Sequence, residues 1–533
     1  MSTPFDRFDR PNQFDDQFDG QFDGQSDDQS DGQANGHPES LDRRRFLRGA
    51  AAGAVAVGLS LSTRRWVARA EPGPDLAEVP PLDGSLVIDP EVLDAAADDF
   101  GHIVSHRPWA VLLPGSIEDI ERMVEFANRY RVPIAGRNAY DDAHSCLGQS
   151  QVEAGIVINN RSLAAVPAVT AADDEIWVEA GARWRDILTA AFPAGKSPPI
   201  FPDYVDLSVG GALSVGGIGG QSHQAGFLVD NVSALEVITG EGKREICSPT
   251  RNPRLFSSVL GGLGQFAVIA RACIRLRDVP PMVRVYSAVY DDVDAFTGDQ
   301  LVLIRERRFD YVEGFAELDG TTWRYRLEAG AYFAPGAEPD DAALVAGLRF
   351  TPGTLTTTDT SYPGFVQRLD PTVDFLRQIG VWEFPHPWLN LFIPAQAAPR
   401  FIESTLAATA PEDLGQGPVL IYPIPRAAVR GPYPVLPAGD EVFLFALLRT
   451  AVPPTPEQVQ DLLAKNRAVF ESARDCGGTF YPVNALPLDP ADWRRHFGRG
   501  RGRGRGWGRF RSAKAQFDPG SVLTPGQKIF PGR

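Results

Sequence analysis

The segment Ser208-Val-Gly-Gly-Ala-Leu-Ser-Val-Gly-Gly-Ile-Gly-Gly220 places six glycines within 13 residues of a 533-residue chain. Such a stretch is a poor interior for a helix or strand, because glycine loses much backbone entropy there and has no side chain to pack. Its use is where the main chain takes positive φ or approaches a ligand closely, and successive amides can then form a nest for a pyrophosphate. A flexible loop has the same composition, so the segment alone leaves both readings open. A second cluster, Leu260-Gly-Gly-Leu-Gly-Gln-Phe-Ala-Val-Ile269, leads into a strand expected at Val268 to Ile274. Neither cluster is a GxxxxGK[ST] phosphate loop, and neither fits a strand-GxGxxG-helix unit. A dinucleotide or phosphate ligand would be bound by another route.

Around these clusters the pattern is regular. Trp109 to Pro114 reads as a buried strand, and Ser116 opens a helix with Asp119 as its capping-box partner. Ile117, Ile120, Met123, Val124, Ala127 and Tyr130 recur at helical spacing and make one apolar face. Val132 to Ala135 and Gly155 to Ile158 are further short strands. Strands alternating with helices indicate an α/β or α+β layered fold, and the length calls for two domains plus appendages. Of the formal charge of −16, the residues after 70 carry −14. An acidic body of this kind repels nucleic acid and anionic membrane surfaces. Cys146, Cys247, Cys273 and Cys476 are scattered and read as buried thiols, not as a disulfide framework. His223 and His386 have no second ligand at fixed spacing, so no metal is expected.

The N-terminus holds two segments that are not domains. Within residues 1–41, positions 5 to 36 repeat variants of Gln-Phe-Asp-Asp/Gly with almost no aliphatic side chains, so the segment 1–41 is expected to stay disordered. Residues 42–70 begin Asp42-Arg-Arg-Arg-Phe-Leu-Arg48, continue through a mild apolar run from Gly49 to Ser62, and end Ala68-Arg-Ala70. The run is short of the about 20 apolar residues a membrane span needs. A basic start, a short apolar stretch and a small-residue end read as a secretory signal, and the paired arginines resemble the twin-arginine type. The expectation is export by the twin-arginine machinery to the periplasm or beyond, without a stable membrane anchor.

Taken together, the glycine segments resemble the vanillyl-alcohol-oxidase (PCMH-type) FAD-binding domain, and within that group the cytokinin dehydrogenases. Asp203-Tyr-Val-Asp-Leu-Ser-Val-Gly-Gly-Ala-Leu-Ser214 is similar to the family's Asp-Tyr-Leu-x-Leu-Thr-Val-Gly-Gly-Thr-Leu-Ser. Leu260 to Arg271 resembles its Leu-Gly-Gly-Leu-Gly-Gln-Phe-Gly-Val-Ile-Thr-Arg. Asp310-Tyr-Val-Glu-Gly314 and Trp382-Glu-Phe-Pro-His-Pro-Trp-Leu-Asn-Leu391 are similar to its substrate domain, and Phe517 to Phe530 to its C-terminal return to the flavin. The resemblance runs collinearly from about residue 104 to the end. It implies an α+β, two-domain flavoprotein whose substrate (cap) domain is built on an antiparallel sheet. The FAD-binding domain is expected at 75–282, the substrate domain at 283–485 and the return to the FAD domain at 486–533.

The same resemblance implies roles. Ala143-His-Ser145 with Gly148-Gln149 is similar to a Gly-His-Ser-x-x-Gly-Gln motif whose histidine bonds covalently to the flavin, making His144 the anchor and Ser145 and Gln149 contacts. Ser208, Gly210, Gly211, Ser214, Ile218, Ile269 and Gln527 fall at flavin contacts. Asp203 matches the acid that meets the substrate amine, and Glu313 the carboxylate facing the purine. Trp388 and Asn390 match residues lining the substrate cavity. Taken alone, Asp203 reads as a turn or capping aspartate, Glu313 as a solvent-facing strand residue and Trp388 as core. Cys146 reads as inert. The Arg-Gly run from Gly498 to Gly508 has a composition seen in nucleic-acid binders. It interrupts a stretch that otherwise matches the family and reads as a solvated loop insertion.

One departure stands out. The family reads Arg-Gly-x-Gly-His, whereas here Arg137-Asn-Ala-Tyr-Asp-Asp-Ala-His144 spans seven residues without glycine. Either this loop bulges outward or flavin binding is weakened or altered. The implied reaction is oxidation of an N6-isoprenoid adenine at the C–N bond to its isoprenoid group, with oxygen or a quinone as electron acceptor. An FAD-linked oxidase acting on an alcohol, sugar or other amine, and a flavin- or ligand-binding protein without turnover, are the alternatives.

Overall fold

The computed structural model describes residues 76–137, 144–498 and 505–530, with the backbone of 56–60 and 65–69. The segment 1–41, the arginines at 43–45 and residues 138–143 lie outside the described residues. Ala56–Ser60, Arg65–Arg69 and Leu76–Glu78 pair antiparallel into a small sheet, and the first of these strands overlaps the apolar run noted above. Among the described residues no helix is long and apolar enough to cross a membrane.

The first main layer contains β1 (Ser85–Val87), β2 (Ala110–Leu113), β3 (Ile134–Arg137) and β4 (Ile156–Asn159) in the order β1-β2-β4-β3. β2 and β3 both run parallel to β4, and α1 (Ile117–Tyr130) makes the connection from β2 to β3. Its N-terminus is closed by Ser116, whose hydroxyl accepts from Asp119 N at 3.3 Å, and Ile120, Met123, Val124 and Ala127 are fully buried on the expected face. The Asp119 carboxylate does not complete the capping box. It accepts from the amides of Asp83 (2.8 Å), Gly84 (2.7 Å) and Gly115 (2.8 Å) instead. Three donors from two loops hold a buried carboxylate better than the single amide a capping box offers.

The second layer contains β5 (Glu175–Glu179), β6 (Val232–Thr239), β7 (Arg244–Cys247) and β8 (Ala267–Arg275), antiparallel throughout in the order β7-β6-β8-β5. The first glycine segment runs between β5 and β6 and includes α2 (Val209–Val215).

An eight-stranded antiparallel sheet forms the other half. Its strands are β9 (Met282–Tyr290), β10 (Tyr311–Asp319), β11 (Thr322–Phe333), β12 (Thr356–Ser361), β13 (Leu389–Pro394), β14 (Val419–Pro425), β15 (Glu441–Leu447) and β16 (Thr479–Phe480). The order is β12-β9-β11-β10-β14-β15-β13-β16. No residue from Val442 to Leu447 is more than 1% exposed, so the middle of this sheet is covered on both faces. The short helix α3 (Tyr362–Val366) follows β12.

The chain then returns to the first half. After α4 (Pro490–Gly498) and α5 (Arg505–Phe517), Ile134 N of β3 donates to Val522 O and Thr524 N donates to Ile134 O, both at 2.9 Å. The Arg-Gly run is thus not wholly a loop: Arg505-Gly-Trp-Gly508 opens α5, with residues 499–504 outside the described set. The Trp507 ring lies 5.5 Å from that of Phe530, tilted by 32°, an apolar contact that favours helix over a solvated insertion.

The two halves meet at Gly220. Its carbonyl accepts from Val312 N at 3.0 Å, and the His223 ring lies 2.9 Å from Gly220 O and 3.0 Å from Phe309 O, which is a structural use of that histidine. A Cβ on residue 220 would sit 2.2 Å from the Tyr311 ring. Gly220→Ala is therefore expected to lower the stability of the purified protein by about 1–3 kcal/mol through overpacking. Urea unfolding against the unsubstituted protein measures it, and an unchanged midpoint would mean that the ring can yield.

Candidate active site

Asp203 lies in the loop before α2, at the edge of a buried cluster of charges. Its Oδ1 accepts from Tyr311 Oη at 3.0 Å and from Arg368 Nη2 at 2.5 Å, and Arg368 also donates to Tyr311 Oη. Tyr311 and Glu313 are two residues apart on β10 and so point to the same face. Glu328 on β11 stands directly across from Glu313. Arg368, just after α3, serves all of them: its Nε is 3.4 Å from Glu328 Oε1 and its Nη2 is 4.0 Å from Glu313 Oε2. Arg326 Nη1 donates to the other Glu328 oxygen at 3.1 Å.

The Glu313 carboxyl is 2% exposed, and its Oε1 has no hydrogen-bond partner within the protein. Burial holds it well above the usual carboxylate range, and the neighbouring Asp203 carboxylate pushes the same way. Both effects favour its neutral, protonated form. The solvent-facing reading of this residue is overturned, because β10 is covered on both faces. Tyr422 on β14 is fully buried beside the same carboxylates, and burial drives its phenol up as well.

His144 lies across Tyr204 from this cluster. Its ring is 4.6 Å from that of Tyr204, the neighbour of Asp203, and it stacks on Phe100 at 4.1 Å with the planes 14° apart. Trp388 is 5.4 Å away and Trp382 6.1 Å. The opposite face of Phe100 is available to His386, whose ring stacks at 4.0 Å and which burial holds down to about 3. Trp388 is half-buried with its Nε1 unpartnered within the protein, whereas Asn390 donates to Val483 O at 2.5 Å. Ser145 Oγ donates to Asp99 Oδ2 at 2.6 Å. Gln149 Oε1 accepts from the amides of Cys146 (3.1 Å) and Leu147 (2.8 Å), and its Nε2 donates to Asn484 O at 2.8 Å. Ser145 and Gln149 thus shape the turn after His144 through contacts within the protein. Cys146 is fully buried with its thiol pushed up by burial, in keeping with an inert side chain.

The two glycine-rich segments are bonded to each other, and the C-terminal return packs on this turn. Leu263 N donates to Ser214 O at 2.8 Å, joining the second cluster to the first. Gly526 sits so close to the 148–151 turn that a Cβ would lie 2.2 Å from Gly148 O, which brings Gln527 alongside. The amides of the first cluster do not form an open nest. Val209 N and Gly210 N donate to Ala182 O and Ala180 O, and Gly211 N donates to Ser208 Oγ at 3.3 Å. Ser214 Oγ is bonded to Gly210 O at 2.7 Å. What remains for a ligand is the exposed main chain of Gly211, with the half-buried Ser214 and Ile218 nearby in sequence. Ile269 is buried within β8.

Sequence reading missed Arg368, Tyr311, Glu328, Tyr422 and Asp99. Arg368 and Asp99 lie in no glycine cluster and on no periodic face, so nothing local marked them. Among the described residues no group of acidic, histidine and cysteine side chains could hold a metal ion. A carboxyl with a raised folded-state pKa contributes stability at low pH that is lost as pH rises through that pKa. Glu313→Gln resembles the protonated acid, so the variant should match the parent at a pH below the ordinary glutamate value and lose less stability as pH rises from there to neutrality. Denaturation midpoints across that range measure this, and equal losses would contradict a Glu313 held above the usual carboxylate range.

The family described as "FAD binding domain" matches residues 108–248, and that described as "Cytokinin dehydrogenase 1, FAD and cytokinin binding" matches residues 321–530. Cytokinin dehydrogenase 8 of Oryza sativa subsp. indica is 36% identical over 83% of this chain and 92% of its own length. Cytokinin dehydrogenase 1 of Arabidopsis thaliana is 32% identical over 88% and 87%. An uncharacterized oxidoreductase, ORF5 in the fasciation locus of Rhodococcoides fascians, is 38% identical over 82% of this chain and 97% of its length. The crystal structure of 6-hydroxy-D-nicotine oxidase from Arthrobacter nicotinovorans superposes with a TM-score of 0.64 at 18% identity, over 85% of this chain and 99% of that one, and shares the two-domain PCMH-type fold. The exposed Gly211 main chain and the close packing of Gly526 on the turn after His144 fit an FAD approached without side chains in the way. The chain belongs to the cytokinin dehydrogenase family of FAD-dependent oxidoreductases, and its cofactor is FAD.

Proposed function

We propose that this enzyme oxidises an N6-isoprenoid adenine at the C–N bond to its isoprenoid group, giving an imine that water cleaves to adenine and an aldehyde. The observation that carries this reading is the pairing of Asp203 with Glu313, two neighbouring carboxyls whose surroundings give them opposite tasks. Asp203, bonded to Arg368 and Tyr311 through Oδ1, is an acceptor placed to take the N–H proton as the imine forms. Glu313, pushed toward its neutral form by burial and with one oxygen unpartnered, is a donor for a ring nitrogen of the purine. Trp388 supplies a flat wall with a spare N–H, and Asn390, fixed to Val483 O, shapes the cavity beside it. FAD, when bound, supplies the hydride acceptor for the substrate carbon, and oxygen or a quinone takes the electrons onward. We further propose that the flavin is bonded to His144, which is tested by whether the yellow colour stays with acid-precipitated protein.

Mixing the purified protein anaerobically with isopentenyladenine should bleach the flavin absorbance and release one adenine per flavin. A stable yellow spectrum would remove this substrate class. Asp203→Asn should lower the bleaching rate by about 10²–10⁴-fold with flavin content unchanged. A variant as fast as the parent would take Asp203 out of proton transfer.

We also propose export by the twin-arginine machinery, supported by Asp42 to Arg48 and by Ala68-Arg-Ala70. Replacing Arg44 and Arg45 with lysine should leave the protein in the cytoplasm of an expressing bacterium, and unchanged export would refute that route.

A further inference from the structure

The turn Asp99-Phe100-Gly101 touches the His144 segment at every level of its structure. Asp99 is 3% exposed, and its carboxylate is filled by donors from two short stretches. Oδ2 accepts from Ser145 Oγ at 2.6 Å and from Gly148 N at 2.8 Å, while Oδ1 accepts from Gly101 N at 3.1 Å. Gly101 N also reaches Ser145 O at 3.1 Å. The approach is so close that a Cβ on residue 101 would lie 2.1 Å from Cys146 O. Between these bonds, Phe100 holds the His144 ring in a parallel stack at 4.1 Å and stacks equally on His386 at 4.0 Å. His386 is itself tied to this turn, with Nδ1 3.1 Å from Phe100 O and its amide donating to Gly101 O at 3.0 Å.

A carboxylate is a costly choice for so buried a position. Burial pushes Asp99 up to about 6, an expense an apolar residue would avoid. What the carboxylate provides is one oxygen, Oδ2, that fixes both ends of the turn following His144, and a second, Oδ1, that closes its own turn on Gly101 N. The backbone of residues 145–148 and the imidazole plane are thus held by one tripeptide that precedes β2 in sequence.

We propose that Asp99 and Phe100 are positioning residues that set the place and plane of the His144 imidazole toward the flavin, Asp99 through the backbone and Phe100 through the ring. This rests on the reading of His144 as the flavin anchor. Contacts from the C-terminal side then hold His144 in register even though the stretch from Arg137 to His144 is longer than the family's and lacks its glycines.

The test uses the purified full-length holoprotein, the parent against Asp99→Asn and Phe100→Leu. Total flavin per protein molecule, flavin remaining with acid-precipitated protein, and amide hydrogen exchange at Cys146 to Gly148 are measured for each. Both variants should keep at least half of the total flavin, yet retain at least fivefold less of it after acid. Exchange at 146–148 should be at least tenfold faster in Asp99→Asn, with α1 and the eight-stranded sheet unchanged. Parent-like acid-stable flavin in both variants would overturn the proposal. If the parent itself releases its flavin in acid, the anchor reading of His144 fails separately. The proposal then stands or falls on the amide exchange, where parent-like protection in Asp99→Asn overturns it. Should Asp99→Asn fail to fold, Phe100→Leu decides, since leucine keeps an apolar filling and removes only the stacking face.

Discussion

The half-buried guanidinium of Arg368 is the interaction on which the active-site half of the structure depends. A positive charge and several carboxylates share a low-dielectric pocket, where each would be costly alone and removal of one partner leaves the others uncompensated. Arg368 answers Asp203 from the glycine-rich loop and Glu328 from β11, and it bonds Tyr311 of β10. It also lies over the rings of Tyr311 and Phe365 at 4.8 and 4.6 Å, so it is held by stacking as well as by charge. The loop before α2, two strands of the large sheet and the segment after α3 are brought to one point by a single side chain.

That arrangement is also what separates the two neighbouring carboxyls. Asp203 receives the close hydrogen bonds from Arg368 and Tyr311, whereas Glu313 stands 4.0 Å from the guanidinium and is left to the effect of burial. The aromatic side of the site follows another principle. Phe100, Tyr204, Trp382 and Trp388 surround His144, and burial keeps the nearby His386 neutral. One wall of the site is therefore set by charge and hydrogen bonding, the other by apolar ring contacts around a single imidazole.

How far the sequence could be read depended on the range of the interactions involved. The helix Ile117–Tyr130 was legible because its cap and its apolar face are local, and the structure buries that face as expected. Its Asp119 was misread because the donors it meets, at Asp83 and Gly84, are more than 30 residues away. The Arg-Gly run read as a loop because helix propensity is low in such a sequence. The ring contact between Trp507 and Phe530 overrides it where α5 begins. The glycine clusters were correctly seen as places of close approach, but their amides are spent on the protein's own carbonyls and on Ser208.

By itself the sequence determined the family, the cofactor class and the segments that must meet, since collinear motifs and glycine spacing record where the backbone approaches a ligand. It also named Asp203, Glu313 and His144. Only the tertiary structure decided what surrounds those residues: that Glu313 is buried and pushed toward its neutral form, that Asp203 is bonded by Arg368, and that His144 is clasped by Asp99 and Phe100. The reason is physical. A carboxyl's proton affinity and an imidazole's orientation are set by burial and by neighbours distant in sequence, as when Arg368 reaches Asp203 across 165 positions.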